Sequence, residues 1–126
     1  MKMIRMDKKV LIVDDEENIL ISLSYLLKKE GYTVKTASNG KEALESFKQF
    51  KPEIVLLDVM MPEKDGFSTA SDIRQIDKKS ETHIIFLTAK GTSQDKLQGY
   101  ISGADDYVVK PFDNEVLLDK IMERLT

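Results

Sequence analysis

The sequence predicts an α/β fold: a five-stranded parallel sheet in the order 2-1-3-4-5 with helices on both faces. Three observations carry that prediction. Short β-branched apolar runs recur along the chain, amphipathic helical periods lie between them, and the two kinds of segment alternate strictly. The runs at 10–13, 54–57 and 84–87 are too short for buried helices and read as strands covered on both faces. Tyr32, Val34 and Thr36 instead alternate with Thr33 and Lys35, and the run at 107–109 is short, so these two read as edge strands.

The helical stripes follow in order. They are Ile19, Leu20, Leu23, Leu26 and Leu27; then Ala43, Leu44 and Phe47; then Leu97, Tyr100, Ile101 and Ala104; then Leu118, Ile121, Met122 and Leu125. Phe67, Ala70, Ile73 and Ile76 are spaced by threes, a weaker period that the turn pair Asp65-Gly66 supports. Gly31 and Gly103 stand where helices should stop. Strict alternation demands right-handed crossovers, and placing the second and fifth strands at the edges gives the order most simply. Ligands on such a sheet bind beyond the carboxyl ends of the strands, between strands one and three.

Length and charge bound the function. A chain of 126 residues fits one domain, residues 1–126, with residues 1–8 as an N-terminal extension. A net charge of −3 without a basic stripe argues against direct nucleic-acid contact by this domain. The absence of Cys excludes disulfide and thiolate chemistry. The basic start is followed by only four apolar residues, too few for a signal sequence or a membrane span, so a cytoplasmic protein is expected.

The carboxyl ends of the predicted strands carry the polar residues. Strand one ends in Asp14-Asp15-Glu16-Glu17, strand three in Asp58, strand four in Thr88 and strand five in Lys110-Pro111. Singly, each has a plain structural reading, as helix cap, loop acid, strand end or exposed charge. Together they are different, because strands one and three are neighbours and bring three carboxylates to one place. Such a cluster needs a raised pKa or a divalent cation, and hard oxygen donors at an open rim suit Mg²⁺. A carboxylate beside a metal, a Lys and a hydroxyl is equipped to accept a phosphoryl group.

The segments LIVDDEE, LLDVMMPEKDG, IIFLTA and GADDYVVKPF, spaced over nearly the whole chain, resemble the receiver domain of two-component response regulators, with its chemotaxis-regulator-like fold. The resemblance implies that Asp58 is the phosphoacceptor. It implies Asp15 and the Met60 backbone carbonyl as direct Mg²⁺ ligands, Asp14 as a mostly water-mediated one, and Thr88 and Lys110 as phosphoryl contacts. Tyr107 matches the family's switch aromatic, inward when Thr88 is drawn toward phosphate. The Lys110-Pro111 bond is expected to be cis. A sensor histidine kinase or phosphotransfer protein would donate the phosphoryl group, and a downstream protein or effector domain would read the switch.

Two rivals stand beside this reading. A metal-dependent phosphatase working through an aspartyl phosphate usually needs a second acid two residues after the nucleophile, where this chain has Met60. A flavodoxin-like cofactor binder needs a phosphate loop that Asp14-Asp15-Glu16-Glu17 would repel. His83, the only His, lies away from the rim and is expected to be packed or solvated, so a phosphohistidine must come from a partner. Both a stand-alone regulator and a receiver within a longer protein fit the sequence. A weak homodimer through the face bearing Lys96, Tyr100, Asp105, Asp106, Asp119 and Lys120 is an open alternative to a face that meets an external partner.

Overall fold

A computed structural model describes residues 8–126. Strands and helices alternate as β1 (Lys9–Val13), α1 (Glu17–Lys29), β2 (Thr33–Ala37), α2 (Gly40–Phe50), β3 (Ile54–Leu57), α3 (Gly66–Ile76), β4 (His83–Thr88), α4 (Ser93–Ile101), β5 (Asp106–Val109) and α5 (Asn114–Leu125). The expected N-terminal extension, Lys8 apart, lies outside the described residues. The sheet order is β2-β1-β3-β4-β5 and every pairing is parallel, as the alternation predicts.

Each buried strand feeds two cores, because successive side chains point to opposite faces. On one face Val10 and Ile12 pack with Leu23 and Leu27 of α1 and with Leu117 and Ile121 of α5. On the other, Leu11 and Val13 pack with Ala43 and Phe47 of α2 and with Phe67, Ala70 and Ile73 of α3. Local chemistry fixes the helix ends. The Asn39 side chain accepts from Glu42 N at 2.9 Å, that of Asp65 from Ser68 N at 2.8 Å, and Thr92 and Asp95 form a reciprocal capping box. Gly31 and Gly103 have φ of 101° and 113°, the left-handed conformation that ends a helix cheaply in glycine.

Three expectations need correction. The stripe Leu97, Tyr100 and Ile101 does not enter the core: Leu97 is 61% and Ile101 76% exposed, and the buried residue of α4 is Gly99. The Tyr107 ring fills the space under the helix that α4 side chains were expected to fill. In α5 the buried stripe is centred on Leu117 and Ile121, one residue earlier than Leu118 and Met122 suggest, because α5 meets the sheet face carrying Leu87 and Val108. Edge strand β2 does not alternate cleanly either: Thr36 is exposed, Val34 only half-buried, and the fully buried position is Ala37.

At the amino end of the sheet Arg74 ties together α3, the approach to β4 and the entry to β5. Its Nε donates to Gly103 O at 2.8 Å, and its terminal nitrogens donate to Thr82 O at 2.6 Å, Asp77 Oδ2 at 3.1 Å and Asp105 Oδ2 at 2.8 Å. Asp105 Oδ2 also accepts from Ile84 N at 2.8 Å. Removing the guanidinium strands these acceptors in a half-buried setting. Arg74→Ala is therefore expected to cost about 3 kcal/mol, measured by urea denaturation. Arg74→Lys should recover little, because an ammonium cannot reproduce the planar fork.

Candidate phosphoryl-acceptor site

Sheet register assembles the rim. Val13 pairs with Leu57 across β1 and β3, so the residues that follow them, Asp14 and Asp58, leave the sheet side by side. Backbone bonds hold both in place: Asp14 N donates to Ala37 O at 3.2 Å and Asp58 N to Val13 O at 3.0 Å. Thr88 pairs with Val109, and Lys110 N then donates to Thr88 O at 2.9 Å, bringing hydroxyl and ammonium residues to the same end. Asp14, Asp15 and Asp58 offer carboxylate oxygens that all lie within 4.8 Å of one another. Asp14 and Asp58 are buried and Asp15 faces solvent.

Counter-charge comes from one side. Lys110 Nζ lies 3.0 Å from Asp14 Oδ2, so the ammonium sits on Asp14. Asp14 Oδ1 also accepts from Glu16 N at 2.9 Å, which fixes the turn leading into α1, whose N-cap Glu16 makes no side-chain capping bond. Asp58 Oδ1 accepts from Met60 N at 3.3 Å. Burial pushes the Asp58 carboxyl above its usual range. The Thr88 hydroxyl and the Lys110 charge pull it back, and the Asp14 charge pushes it up again. A raised pKa at a pocket acid flanked by other acids is a mark of sites built for chemistry.

The β3–α3 loop closes over Asp58 by a close approach that only glycine permits. A Cβ on Gly66 would stand 2.1 Å from Asp58 O, and Gly66 N donates to Val59 O at 2.9 Å. The Asp65-Gly66 pair carried this signal in the sequence, read there only as a turn. Beside the acids an open cavity of about 590 Å³ is lined by Asp15, Met60, Asp65 and Lys90 among others. Met60 is 56% exposed at its border.

Tyr107 lies inward. Its hydroxyl donates to Lys90 O at 2.6 Å, its ring centroid is 5.7 Å from that of Phe86, and Phe86 meets Phe67 edge-on at 5.4 Å. Burial, with Asp95 and Asp58 nearby, pushes its phenol up to about 12. The loop residue Lys90, whose carbonyl anchors Tyr107, carried no sequence signal because its role belongs to the backbone. The Lys110-Pro111 peptide bond is cis. His83 opens β4 at the opposite end of the sheet, with Nδ1 3.7 Å from Asp105 Oδ2, far from the acids.

Comparison with known proteins follows the same line. Residues 10–122 match the family model described as response regulator receiver domain. The alkaline phosphatase synthesis transcriptional regulatory protein PhoP of Bacillus subtilis (strain 168) is 48% identical over 107 residues, which is 85% of this chain. The chain spans 44% of that relative's length. Among solved structures, the response regulator protein TrrA of Thermotoga maritima in complex with Mg²⁺ and BeF is 40% identical with a TM-score of 0.83, covering 93% of this chain and 98% of that one. CheY in the CheX–CheY–BeF₃–Mg²⁺ complex of Borrelia burgdorferi is similar at 33% identity and a TM-score of 0.87, covering 94% of this chain and 90% of that chain.

Two titrations check the site's electrostatics. The folded protein holds the Asp58 proton more tightly than the unfolded chain does. Ionised Asp58 therefore costs nothing below the ordinary carboxylate range and costs stability once pH exceeds its folded-state pKa. Asp58→Asn should raise the melting temperature at pH 7 by a few degrees, about 4 °C per kcal/mol for this size, and the gain should vanish in acid. For Tyr107 the sign gives stability that is complete below the ordinary phenol value near 10 and lost between there and about 12. Absorbance titration should show a phenol step near 12, and Tyr107→Phe should remove that step.

Proposed function

The chain belongs to the response regulator receiver domain family, and on that footing we propose that it is a signalling switch charged by phosphorylation of Asp58. The observation that carries the proposal is the constellation at the rim: a buried acid with a raised pKa, two neighbouring carboxylates, a Lys and a Thr at one end of the sheet. Residues 1–126 make up one receiver domain in this reading.

The donor set fits a magnesium ion. It is all oxygen, clustered, open to solvent on the Asp15 side and short of positive charge. Asp14, Asp15, Asp58 and the Met60 carbonyl would hold the ion, which supplies charge neutralisation to the phosphoryl oxygens. Asp58 supplies the nucleophile: a carboxylate oxygen forms a bond to phosphorus as the P–N bond of a partner's phosphohistidine breaks. The electron pair stays on the imidazole, which takes up a proton from solvent. Lys110 swings from Asp14 to the incoming phosphoryl group, and the Thr88 hydroxyl donates to it. Thr88 and Tyr107 then move together as the switch.

The partners are a sensor histidine kinase or phosphotransfer protein on the input side and a downstream target or effector domain on the output side. The Bacillus subtilis relative is described as a transcriptional regulatory protein, which favours a transcriptional output. The exposed Leu97, Tyr100 and Ile101 favour α4, β5 and α5 as the face that is read, whether by an effector or by a weak homodimer. Asp105 and Asp106 contribute little to such a contact, being engaged by Arg74, Arg124 and Lys120 within the chain. No helix among the described residues is long and apolar enough to cross a membrane, and the cytoplasm is the proposed compartment. Against a free-standing aspartyl-phosphate phosphatase stands Met60, an apolar side chain where that chemistry needs an acid.

Incubation with acetyl phosphate and magnesium should add one phosphoryl group, read by intact mass. Asp58→Asn should show no adduct, and Lys110→Ala should slow its formation about a hundredfold. An unmodified wild type, or an adduct that survives in Asp58→Asn, contradicts the assignment.

A further inference from the structure

Gly99 sits in the interior of α4, a helix of nine residues, where glycine weakens a helix relative to alanine. Its φ lies outside the left-handed region, so the backbone does not require it. What requires it is space. A Cβ there would stand 2.8 and 2.9 Å from Cδ2 and Cε2 of the Tyr107 ring and 3.2 Å from Cδ2 of Phe86. Phe86 is fully buried between the rings of Phe67 and Tyr107 and has nowhere to go. Tyr107 is different: it lies at the margin of the core, on an edge strand, and rotation about its χ1 can carry the ring outward.

We infer that Gly99 is the positioning residue of the switch: the missing side chain is a notch that admits the Tyr107 ring under α4 and thereby lets its hydroxyl reach Lys90 O. The inference rests on the proposed signalling function for its consequence, but not for the geometry itself. A Cβ at position 99 forces the ring out, breaks the 2.6 Å bond to the Lys90 carbonyl and frees the loop that joins Thr88 to α4. If the inward ring belongs to the state with Thr88 drawn to phosphate, a residue that expels the ring must weaken whatever binds that state, by linkage.

The test uses Gly99→Ala, Tyr107→Ala and the double variant in the full chain. Nuclear Overhauser contacts between the Tyr107 and Phe86 rings should be present in wild type and lost in Gly99→Ala. Affinity for beryllofluoride with magnesium should fall severalfold in Gly99→Ala, and the double variant should bind as Tyr107→Ala does. Melting supplies a sign reversal that a merely structural glycine would not show. Gly99→Ala should lower the melting temperature, or leave it unchanged, when Tyr107 is present. It should raise it in the Tyr107→Ala background, where the better helix former no longer meets the Tyr107 ring and the space that ring vacates lets Phe86 give the few tenths of an ångström that its 3.2 Å contact requires. Persistent ring contacts in Gly99→Ala, or the same sign of melting shift in both backgrounds, overturn the notch. If Gly99→Ala does not fold while the double variant does, the clash is confirmed in its extreme form. If neither folds, the ring is not the obstacle and the inference fails. Wild type that binds no beryllofluoride refutes the signalling function, while ring contacts and melting still decide the notch.

Discussion

Parallel pairing of β1 with β3 imposes the constraint on which the rest of the molecule turns. It sets Asp14 beside Asp58 by backbone register, so two acids are carried into the same buried corner and Asp15 joins them from the solvent side. At an effective dielectric of about 20, two unit charges about 5 Å apart interact by roughly 3 kcal/mol. Lys110 offsets one such repulsion directly through its 3.0 Å contact with Asp14, and Asp15 is eased by solvent. Asp58 is pushed up chiefly by its burial in that corner, with the Asp14 charge adding to the shift and Thr88 and Lys110 opposing it.

The two ends of the sheet divide stability from chemistry. At the amino end Arg74 satisfies two carbonyls and two carboxylates, and Asp105 in turn accepts from the Ile84 amide of β4, so charges there are matched. At the carboxyl end the charges are left in surplus, with loops rather than helices over them. Two glycines permit close approaches around this end, one by a loop and one by a helix. Gly66 allows the β3–α3 loop to fold onto the Asp58 carbonyl, and Gly99 allows Tyr107 to lie beneath α4. A rim built this way responds to a change of charge, because the groups above it are held by one or two contacts each.

Most of the fold and nearly all of the rim were legible in the sequence, for a physical reason. Runs such as 10–13 and 54–57 are buried on both faces, so their hydrophobicity is continuous and their ends abrupt. The residue after each run is then assigned to the rim without any knowledge of loops. What was misread lies where helices meet the sheet obliquely. The α4 stripe looked like core because Leu97, Tyr100 and Ile101 share a face, yet the helix buries its glycine and borrows Tyr107 from β5. Periodicity reports that a face is apolar and says nothing of what covers it. The Lys110 contact with Asp14 and the Lys90 carbonyl under Tyr107 were invisible for a related reason: both depend on loop paths that no residue type specifies.

If surplus negative charge at this corner is what the fold is built to hold, a small divalent cation must stabilise the protein through that corner alone. The direct measurement is the melting temperature against Mg²⁺ concentration for wild type and Asp15→Asn, at constant ionic strength. Wild type should show a rise that grows with the logarithm of Mg²⁺ above the dissociation constant, worth about 2.7 kcal/mol at a hundredfold excess over it, and Asp15→Asn should lose most of that rise. A wild type whose melting temperature ignores Mg²⁺, or an Asp15→Asn variant stabilised equally, would contradict it.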